Sequence, residues 1–226
     1  KDFPRHGIDA VKMGMTVATN ALLERKGTPT LLLITDGFTD LLRIGTQARP
    51  RLFDLEIRLP EAIYARVAPL PERLAADGSV LTPLDEDATR ATLQDAYDEG
   101  LRSVAIASMH GYLNPAHEKR AAEIARDVGF TQVTPSHEAS ALIKLVSRGD
   151  TAVVDAYLSP VLRRYVDQVA SALDLGPQGA CERLFFMQSS GGLTDASLFQ
   201  GRDAILSGPA GGVVGMVRTA EAAGFD

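Results

Sequence analysis

The sequence predicts an α/β fold with a parallel or mixed sheet flanked by helices. Two short apolar runs, Thr30–Thr35 and Ser103–Met109, have the continuous pattern of strands that are buried on both faces. Two amphipathic segments, 85–99 and 115–128, follow the 3.6-residue period of helices, and each is followed by a glycine. Helix and strand therefore alternate along the chain, as in α/β layer folds.

The composition is that of an ordinary globular protein, with 45% apolar and 23% charged residues in a chain of 226. A net charge of −6 argues against a nucleic-acid partner, and no apolar run is long enough to predict a membrane span. The single Cys181 excludes a disulfide framework and a cysteine-cluster metal site. The chain opens without a secretory signal, so we expect a cytoplasmic enzyme or part of one.

The first helix is predicted over Thr16–Lys26, where an apolar face precedes Gly27 as a helix stop. The stretch 45–83 differs from its surroundings, because it holds five prolines and scattered charge. We interpret 45–83 as an inserted excursion or small subdomain, with short strands at Leu52–Leu59 and Ala65–Val67. Residues 1–44 and 84–226 would then form the main body.

The second half of the chain contains the longest predicted helix, which opens near Asp150. Ser159-Pro160 interrupts it, because a proline inside a helix costs about 3 kcal/mol, and we expect a kink or a restart capped by Ser159. Upstream, Asp85 is predicted to cap one helix, and Asn114-Pro115 to open another. Arg183–Met187 is predicted to be a buried strand.

The glycine-rich stretch at the start of the last helix is the most informative local feature. Ser207 is a suitable cap and Pro209 suits the first turn, whereas Gly211, Gly212 and Gly215 fall inside the helix at about 0.8–1 kcal/mol each. The pattern indicates either close backbone packing or the approach of a ligand to a helix N-terminus. If packing is the reason, Gly211→Val should destabilise the fold.

Two other polar segments are candidate sites. Thr19 and Asn20 lie on the first helix, where they serve either as local caps or as groups that face a cleft. The turn Gln188–Gly192 follows a predicted strand, which is where α/β sheets bind ligands. The four histidines show no metal-ligand spacing, so no metal site is predicted, and the common nucleotide-binding signatures do not occur.

Six segments, in order along the chain, resemble the hydantoinase A/5-oxoprolinase family of ATP-dependent enzymes. They are Met13–Gly27, Gly37–Leu55, Gly111–Glu118, Asp155–Val166, Met187–Leu193 and Leu206–Gly215. The resemblance implies an actin-like (ribonuclease H-like) ATPase fold, of which this chain would be part of one lobe. Within the family, the segments are most similar to those of 5-oxoprolinase.

The resemblance also implies a reaction, in which 5-oxo-L-proline, ATP and water give L-glutamate, ADP and phosphate through phosphorylation of the ring amide. It implies ATP and Mg²⁺ as cofactors, a hydantoinase B-type half or subunit as partner, and a homo-oligomer. A subunit of an N-methylhydantoinase or an acetone-type carboxylase is an alternative. A non-catalytic lobe that docks a partner is a second alternative.

The family's two phosphate loops, of the types GGTFTD and DMGGTSTD, do not occur in this sequence. We therefore expect an interior fragment that binds Mg-ATP weakly or not at all and is inactive alone. No catalytic residue is identified. The residues that match the family motifs, and that the resemblance implies as cofactor-binding, are Thr19, Asn20, Gln188, Ser189, Gly191, Gly192, Ser207, Gly208, Gly211 and Gly212.

Overall fold

The computed structural model describes residues 7–47, 53, 55–56 and 59–225. The chain divides into two compact units. The central unit comprises Thr28–Tyr157, and the flanking unit comprises Lys1–Gly27 with Leu158–Asp226. The two ends of the central unit are adjacent, because the backbone N–H of Thr28 donates to the carbonyl of Tyr157 at 2.9 Å.

The central unit is built on a four-stranded parallel sheet, in which the strands lie side by side in the order Arg66–Leu70, Thr30–Thr35, Ser103–Ala107 and Gln132–Pro135. Its strands are β2 (Thr30–Thr35), β3 (Arg66–Leu70), β6 (Ser103–Ala107) and β7 (Gln132–Pro135), and a hairpin of β4 (Arg73–Leu74) and β5 (Val80–Thr82) is separate. Its helices are α2 (Leu41–Ile44), α3 (Glu86–Asp98), α4 (Ala116–Val128), α5 (Ser136–Ala139) and the first part of α6 (Leu145–Ala172).

Both faces of this sheet are buried, which explains the continuous apolar runs. Leu31 and Leu33 of β2 pack on one side in a cluster with residues of α3 and α4. Leu32 and Ile34 pack on the other side in a cluster with residues of α6. All residues of β2 and β6 are buried, so the predicted parallel-sheet strands are confirmed.

The helix boundaries of the central unit follow local side-chain chemistry. The Asp85 carboxylate accepts a hydrogen bond from the Ala88 N–H at 3.0 Å, as predicted for a helix cap. Gly129 ends α4 in the left-handed conformation with φ 117°, where glycine is favoured. The side chain of Asn114 accepts a hydrogen bond from the N–H of Ala116 at 3.2 Å. Asn114 therefore contacts the start of α4, although the helix begins at Ala116 and Pro115 occupies the N-cap position.

The predicted excursion at 45–83 contains β3, which belongs to the sheet, and the β4–β5 hairpin. The predicted strand at Ala65–Val67 corresponds to the start of β3. Half of the predicted strand Leu52–Leu59, namely positions 52, 54, 57 and 58, lies outside the described residues, and its described positions, 53, 55–56 and 59, are not in a strand. The assignment of 45–83 as an insertion or subdomain stays a prediction.

Helix α6 continues through Pro160, so the predicted restart is wrong. A proline at 160 cannot donate to the carbonyl of Ala156, but the hydroxyl of Ser103 donates to that carbonyl at 2.6 Å instead. Ser159 does not open a new helix. Its hydroxyl accepts a hydrogen bond from the N–H of Gly201 at 2.9 Å.

The flanking unit contains a smaller mixed sheet of order β1-β8-β9. Strand β1 (Val11–Met13) pairs in parallel with β8 (Leu184–Met187), and β8 pairs antiparallel with β9 (Leu193–Asp195). Its helices are α1 (Val17–Leu23), the second part of α6, α7 (Gly201–Ala204) and α8 (Ser207–Ala222). Across the described residues, no helix has the length and apolar character that a membrane crossing requires.

Candidate functional site

A cavity of about 440 Å³ lies within the flanking unit, at the start of α8. One wall is the end of β1 and the turn after it, from Lys12 to Thr16. Three predicted residues, Gly208, Gly211 and Gly212, also line the cavity. The end of β8 and the start of β9 close a further side with Met187 and Leu193.

Ser207 and Gly208 hold the start of α8 against the turn after β1. The hydroxyl of Ser207 is within hydrogen-bond distance of the carbonyls of Met15 (2.8 Å) and Ala204 (2.9 Å). A Cβ atom at Gly208 would lie 2.8 Å from the side chain of Thr16 and 3.3 Å from the Met15 carbonyl. Position 208 therefore requires glycine because the two segments approach closely.

The close packing expected at Gly211 is not found. A Cβ atom there would lie 3.6 Å from the Met187 side chain, which is an ordinary contact. At Gly212 and Gly215 it would meet no described atom within 4 Å. The predicted clash at Gly211 is therefore wrong. The close approach of α8 to a neighbouring segment lies about one turn earlier, at Gly208.

Thr19 and Asn20 do not line the cavity, although the preceding Thr16 does. The hydroxyl of Thr19 donates to the carbonyl of Ile205, which ties α1 to the residues before α8. The Asn20 side chain is exposed and makes a long contact of 3.5 Å to the hydroxyl of Thr16. Cofactor binding by Thr19 and Asn20 stays a prediction.

The turn after β8 supports the start of α8 from a second direction. The backbone N–H of Gln188 donates to the carbonyl of Gly192 at 2.8 Å, which closes the turn. Gly191 lies in the left-handed region with φ 85°, where glycine is favoured. The Ser189 hydroxyl donates to the Asp203 carbonyl at 2.8 Å and accepts from the Leu206 N–H at 2.9 Å. These contacts give the turn a scaffolding role, and direct ligand contact by its four predicted residues stays a prediction.

The chemistry of the cavity favours an anion. Lys12 is the only charged side chain among its described lining residues. No side-chain hydrogen bond caps the start of α8, and the N-terminus of a 16-residue helix carries a partial positive charge that favours anions. The absence of a side chain at Gly211 and Gly212 leaves the backbone of α8 open to close approach, whereas the space at Gly208 is filled by Thr16 and Met15. Sequence reasoning missed Lys12, because a lysine in a short strand resembles an ordinary exposed residue.

A second polar cluster, also missed, lies in the central unit at the carboxyl ends of β6 and β7. Glu118, in the first turn of α4, is completely buried. One carboxylate oxygen accepts from the N–H of Ser108 (2.7 Å) and the hydroxyls of Ser108 (3.2 Å) and Ser136 (2.5 Å). The other accepts from the N–H of His137 (2.9 Å) and from its ring Nδ1 (2.6 Å).

Arg148 and the hydrogen bonds to Glu118 compensate the charge of this cluster. Burial acts to raise the pKa of Glu118, but the hydrogen bonds from His137, Ser108 and Ser136 outweigh burial and lower it. The buried Arg148 donates to the Ser136 hydroxyl at 2.8 Å, and burial lowers the pKa of its guanidinium. Glu118 is therefore an ionised group that joins the turns after two strands.

A similar pair of a buried carboxylate and a histidine lies at the ends of the neighbouring strands β2 and β3. The buried Glu72 accepts from the hydroxyl of Thr35 and lies 2.8 Å from Nδ1 of His117. The same Thr35 oxygen accepts from the N–H of Met109 at 2.8 Å. The carboxyl edge of the sheet is thus held by polar bonds across all four strands. Among the described residues, no three histidine, cysteine or acidic side chains converge as a metal site.

Two solved structures share this fold over 94% of the chain and show that it is the α/β fold of the hydantoinase and actin-like ATPase class. The ATP-dependent caprolactamase from Pseudomonas jessenii superposes with a TM-score of 0.80 at 31% identity, and the match covers 32% of that chain. A nucleotide-free acetone carboxylase superposes with a TM-score of 0.81 at 22% identity, also over 32% of its chain, which shows similarity of fold alone.

Family models match most of the sequence. Residues 1–129 match the hydantoinase/oxoprolinase N-terminal region, and residues 148–226 match the hydantoinase/oxoprolinase model. The chain belongs to the hydantoinase/oxoprolinase family. It is 40% identical to 5-oxoprolinase 1 of Arabidopsis thaliana over 96% of this chain. It spans 18% of the length of that relative.

Proposed function

We propose that this chain forms part of the nucleotide-binding region of an ATP-dependent cyclic amide hydrolase that acts on 5-oxo-L-proline. The observation that carries the proposal is the glycine-lined cavity with Lys12 at the uncapped start of α8. The 5-oxoprolinase from A. thaliana supports the choice of substrate. The overall reaction converts 5-oxo-L-proline, ATP and two water molecules into L-glutamate, ADP and phosphate.

The residues of the cavity fit the phosphate end of a nucleotide. Lys12 would offset negative charge, and the hydroxyl of Thr16 and the first-turn backbone of α8 would bind phosphate oxygens. Gly211 and Gly212 leave space that a side chain would occupy. ATP, when bound, would supply the phosphoryl group that, once on the ring-amide oxygen, activates the amide carbon toward attack by water. Ring opening would require the B-type half or subunit, and we propose a homo-oligomer of the complete assembly.

Mg²⁺ does not fit the described lining in the same way. Mg²⁺ prefers carboxylate oxygens, and no acidic residue is among those that line the cavity. None of the described residues that line this cavity is therefore a candidate carboxylate ligand for Mg²⁺.

The experiment measures phosphate release from ATP by a longer protein that carries this chain, mixed with a B-type partner. We expect release to be stimulated by 5-oxo-L-proline and matched by glutamate formation. Lys12→Ala should weaken nucleotide binding, Lys12→Arg should retain part of it, and Lys119→Ala, on the exposed side of α4, should leave it unchanged.

The other outcomes distinguish the alternatives. Stimulation by caprolactam or a hydantoin, but not by 5-oxo-L-proline, would retain the reaction class and change the substrate. Stimulation by acetone with bicarbonate would favour a carboxylase subunit. Binding of the partner with no ATP turnover on any substrate would favour a non-catalytic docking lobe.

A further inference from the structure

The short connection between α7 and α8 leaves backbone groups outside the regular helical pattern. Helix α7 ends at Ala204 and α8 begins at Ser207, so the ladder of helical hydrogen bonds is interrupted between them. Pro209 extends the interruption, because a proline has no N–H that could donate to the carbonyl of Ile205, four residues earlier. We call residues 203–207 the α7–α8 junction. Its backbone groups need partners from elsewhere in the flanking unit.

Thr19 supplies the donor that Pro209 lacks. Its hydroxyl donates to the carbonyl of Ile205, which is 186 positions away in the sequence. The Thr19 side chain is half-buried and is not among the described residues that line the cavity at the start of α8. Helix α1 therefore holds the junction through this hydroxyl.

Ser189 bridges the two sides of the interruption. Its hydroxyl donates to the Asp203 carbonyl at 2.8 Å and accepts from the Leu206 N–H at 2.9 Å. The backbone N–H of Ser189 donates to the same Asp203 carbonyl at 2.6 Å. One residue of the turn after β8 thus fixes α7 relative to the residue that precedes α8.

Ser207 connects the junction with the wall of the cavity. Its buried hydroxyl has one hydrogen and lies within hydrogen-bond distance of two carbonyls, that of Ala204 at 2.9 Å and that of Met15 at 2.8 Å. Met15 belongs to the cavity wall, and Gly208, the next residue of α8, approaches it closely. The distance between the first turn of α8 and this wall therefore depends on the junction.

We propose that Thr19, Ser189 and Ser207 are positioning residues for the anion that binds in this cavity. None of the three is among its described lining residues, so their hydroxyls act through the junction and not through contact with the anion. They hold the first-turn N–H groups of α8 at a fixed distance from Lys12 and Thr16, so that the site is formed before the anion binds. This inference rests on the proposed function, in which the nucleotide supplies the anion.

Thr19 allows the sharpest test, because two substitutions separate the hydroxyl from the shape of the side chain. Thr19→Val keeps the size and removes the hydroxyl, whereas Thr19→Ser keeps the hydroxyl. In the longer protein that carries this chain, Thr19→Val should raise the dissociation constant for ATP about fivefold, as expected for the loss of one hydrogen bond, and Thr19→Ser should restore the affinity. Thr219→Val is the matched control, because it removes a hydroxyl that donates to the Gly215 carbonyl at 2.8 Å, near the other end of α8. The control should bind ATP as the unaltered protein does.

Amide hydrogen exchange of the 226-residue chain without nucleotide is the second readout. Thr19→Val should speed exchange of the N–H groups in residues 208–212, whereas Thr19→Ser should not, because the junction then keeps its hydroxyl. Ser189→Ala combined with Thr19→Val should weaken ATP binding by less than the product of the two single effects, since both hydroxyls hold the same junction. Circular dichroism confirms that each variant is folded.

The outcomes separate this inference from the proposed function. If the unaltered protein does not bind ATP, the proposed function fails and the inference fails with it. If the unaltered protein binds ATP and Thr19→Val binds it equally well, the inference alone is overturned. Weaker ATP binding with unchanged exchange in residues 208–212 would also overturn it, because Thr19 would then contact the ligand directly. Equal losses in Thr19→Val and Thr19→Ser, or single effects of Thr19→Val and Ser189→Ala that multiply, would contradict a shared role of the hydroxyls.

Discussion

Replacement of Glu118 by glutamine should destabilise the central unit strongly, although the side chain keeps its size. The carboxylate accepts hydrogen bonds on both oxygens, from Ser108 and Ser136 on one side and from His137 on the other. Glutamine offers one carbonyl oxygen and one NH₂ group. Whichever way the amide is turned, its NH₂ group faces a backbone N–H, of either Ser108 or His137.

The expected loss follows from what remains buried. At least one backbone N–H loses its acceptor, which costs about 1–3 kcal/mol. Arg148 also loses the favourable electrostatic interaction with the Glu118 carboxylate, and breaking a buried charge network typically costs about 3–5 kcal/mol in total. With a urea m-value of about 2.5 kcal/mol/M, the unfolding midpoint should fall by about 1–2 M.

The assay is urea unfolding followed by circular dichroism, with Glu123→Gln as the control. Glu123 lies on the same helix, α4, and its exposed side chain pairs with Arg120 at 2.7 Å. Loss of that surface pair should cost at most about 1 kcal/mol. If Glu118→Gln loses less than about 1 kcal/mol, or no more than the control, the argument that this buried carboxylate organises the sheet edge is refuted.

Four further substitutions, one of them a control, test other parts of the structure by thermal unfolding. Gly208→Ala should destabilise by about 1–3 kcal/mol because its Cβ would lie 2.8 Å from Thr16, whereas Gly212→Ala, in open space, should be neutral or stabilising by up to about 1 kcal/mol; equal effects would contradict the close approach. Asp85→Ala should cost about 1 kcal/mol by removing the cap of α3, and no change in melting temperature would argue against that cap. Because burial raises the pKa of Asp150, its ionised form disfavours folding, and that cost is present above the folded pKa and absent below the unfolded one. Asp150→Asn should therefore raise the free energy of unfolding at pH 7 by up to about 1 kcal/mol, which is seen as a higher melting temperature, and the gain should disappear below about pH 4; a gain that does not depend on pH would have another cause.

The sequence predicted the elements whose signals are local. Strands β2 and β6 are buried on both faces, so their residues are continuously apolar and need no knowledge of their neighbours. Asp85 and Gly129 mark helix ends through contacts within a few residues. For such features, the pattern in the chain and the contact in the structure involve the same residues.

The polar clusters could not be predicted in this way, because sheet order brings their members together. Glu118, Ser136 and His137 meet only when α4 stands beside the ends of β6 and β7. The predicted helix restart failed for a similar reason. The carbonyl that Pro160 leaves without a partner is satisfied by Ser103, which is 53 positions away from Ala156. The place of Lys12 in the cavity likewise depends on pairing between β1 and β8, which no local pattern states.

The hydrogen bond between Thr28 and Tyr157 has a consequence for how the chain tolerates change in length. The two residues mark the first and last positions of the central unit, and their backbones are joined at 2.9 Å. The chain therefore enters and leaves the central unit at two adjacent residues that are joined by a hydrogen bond. Insertions or deletions between those two residues need not lengthen the path that the flanking segments follow, and the entropy of closing a loop grows only slowly with its length. The separation between Thr28 and Tyr157 is thus set by their own contact and does not depend on the length of chain between them.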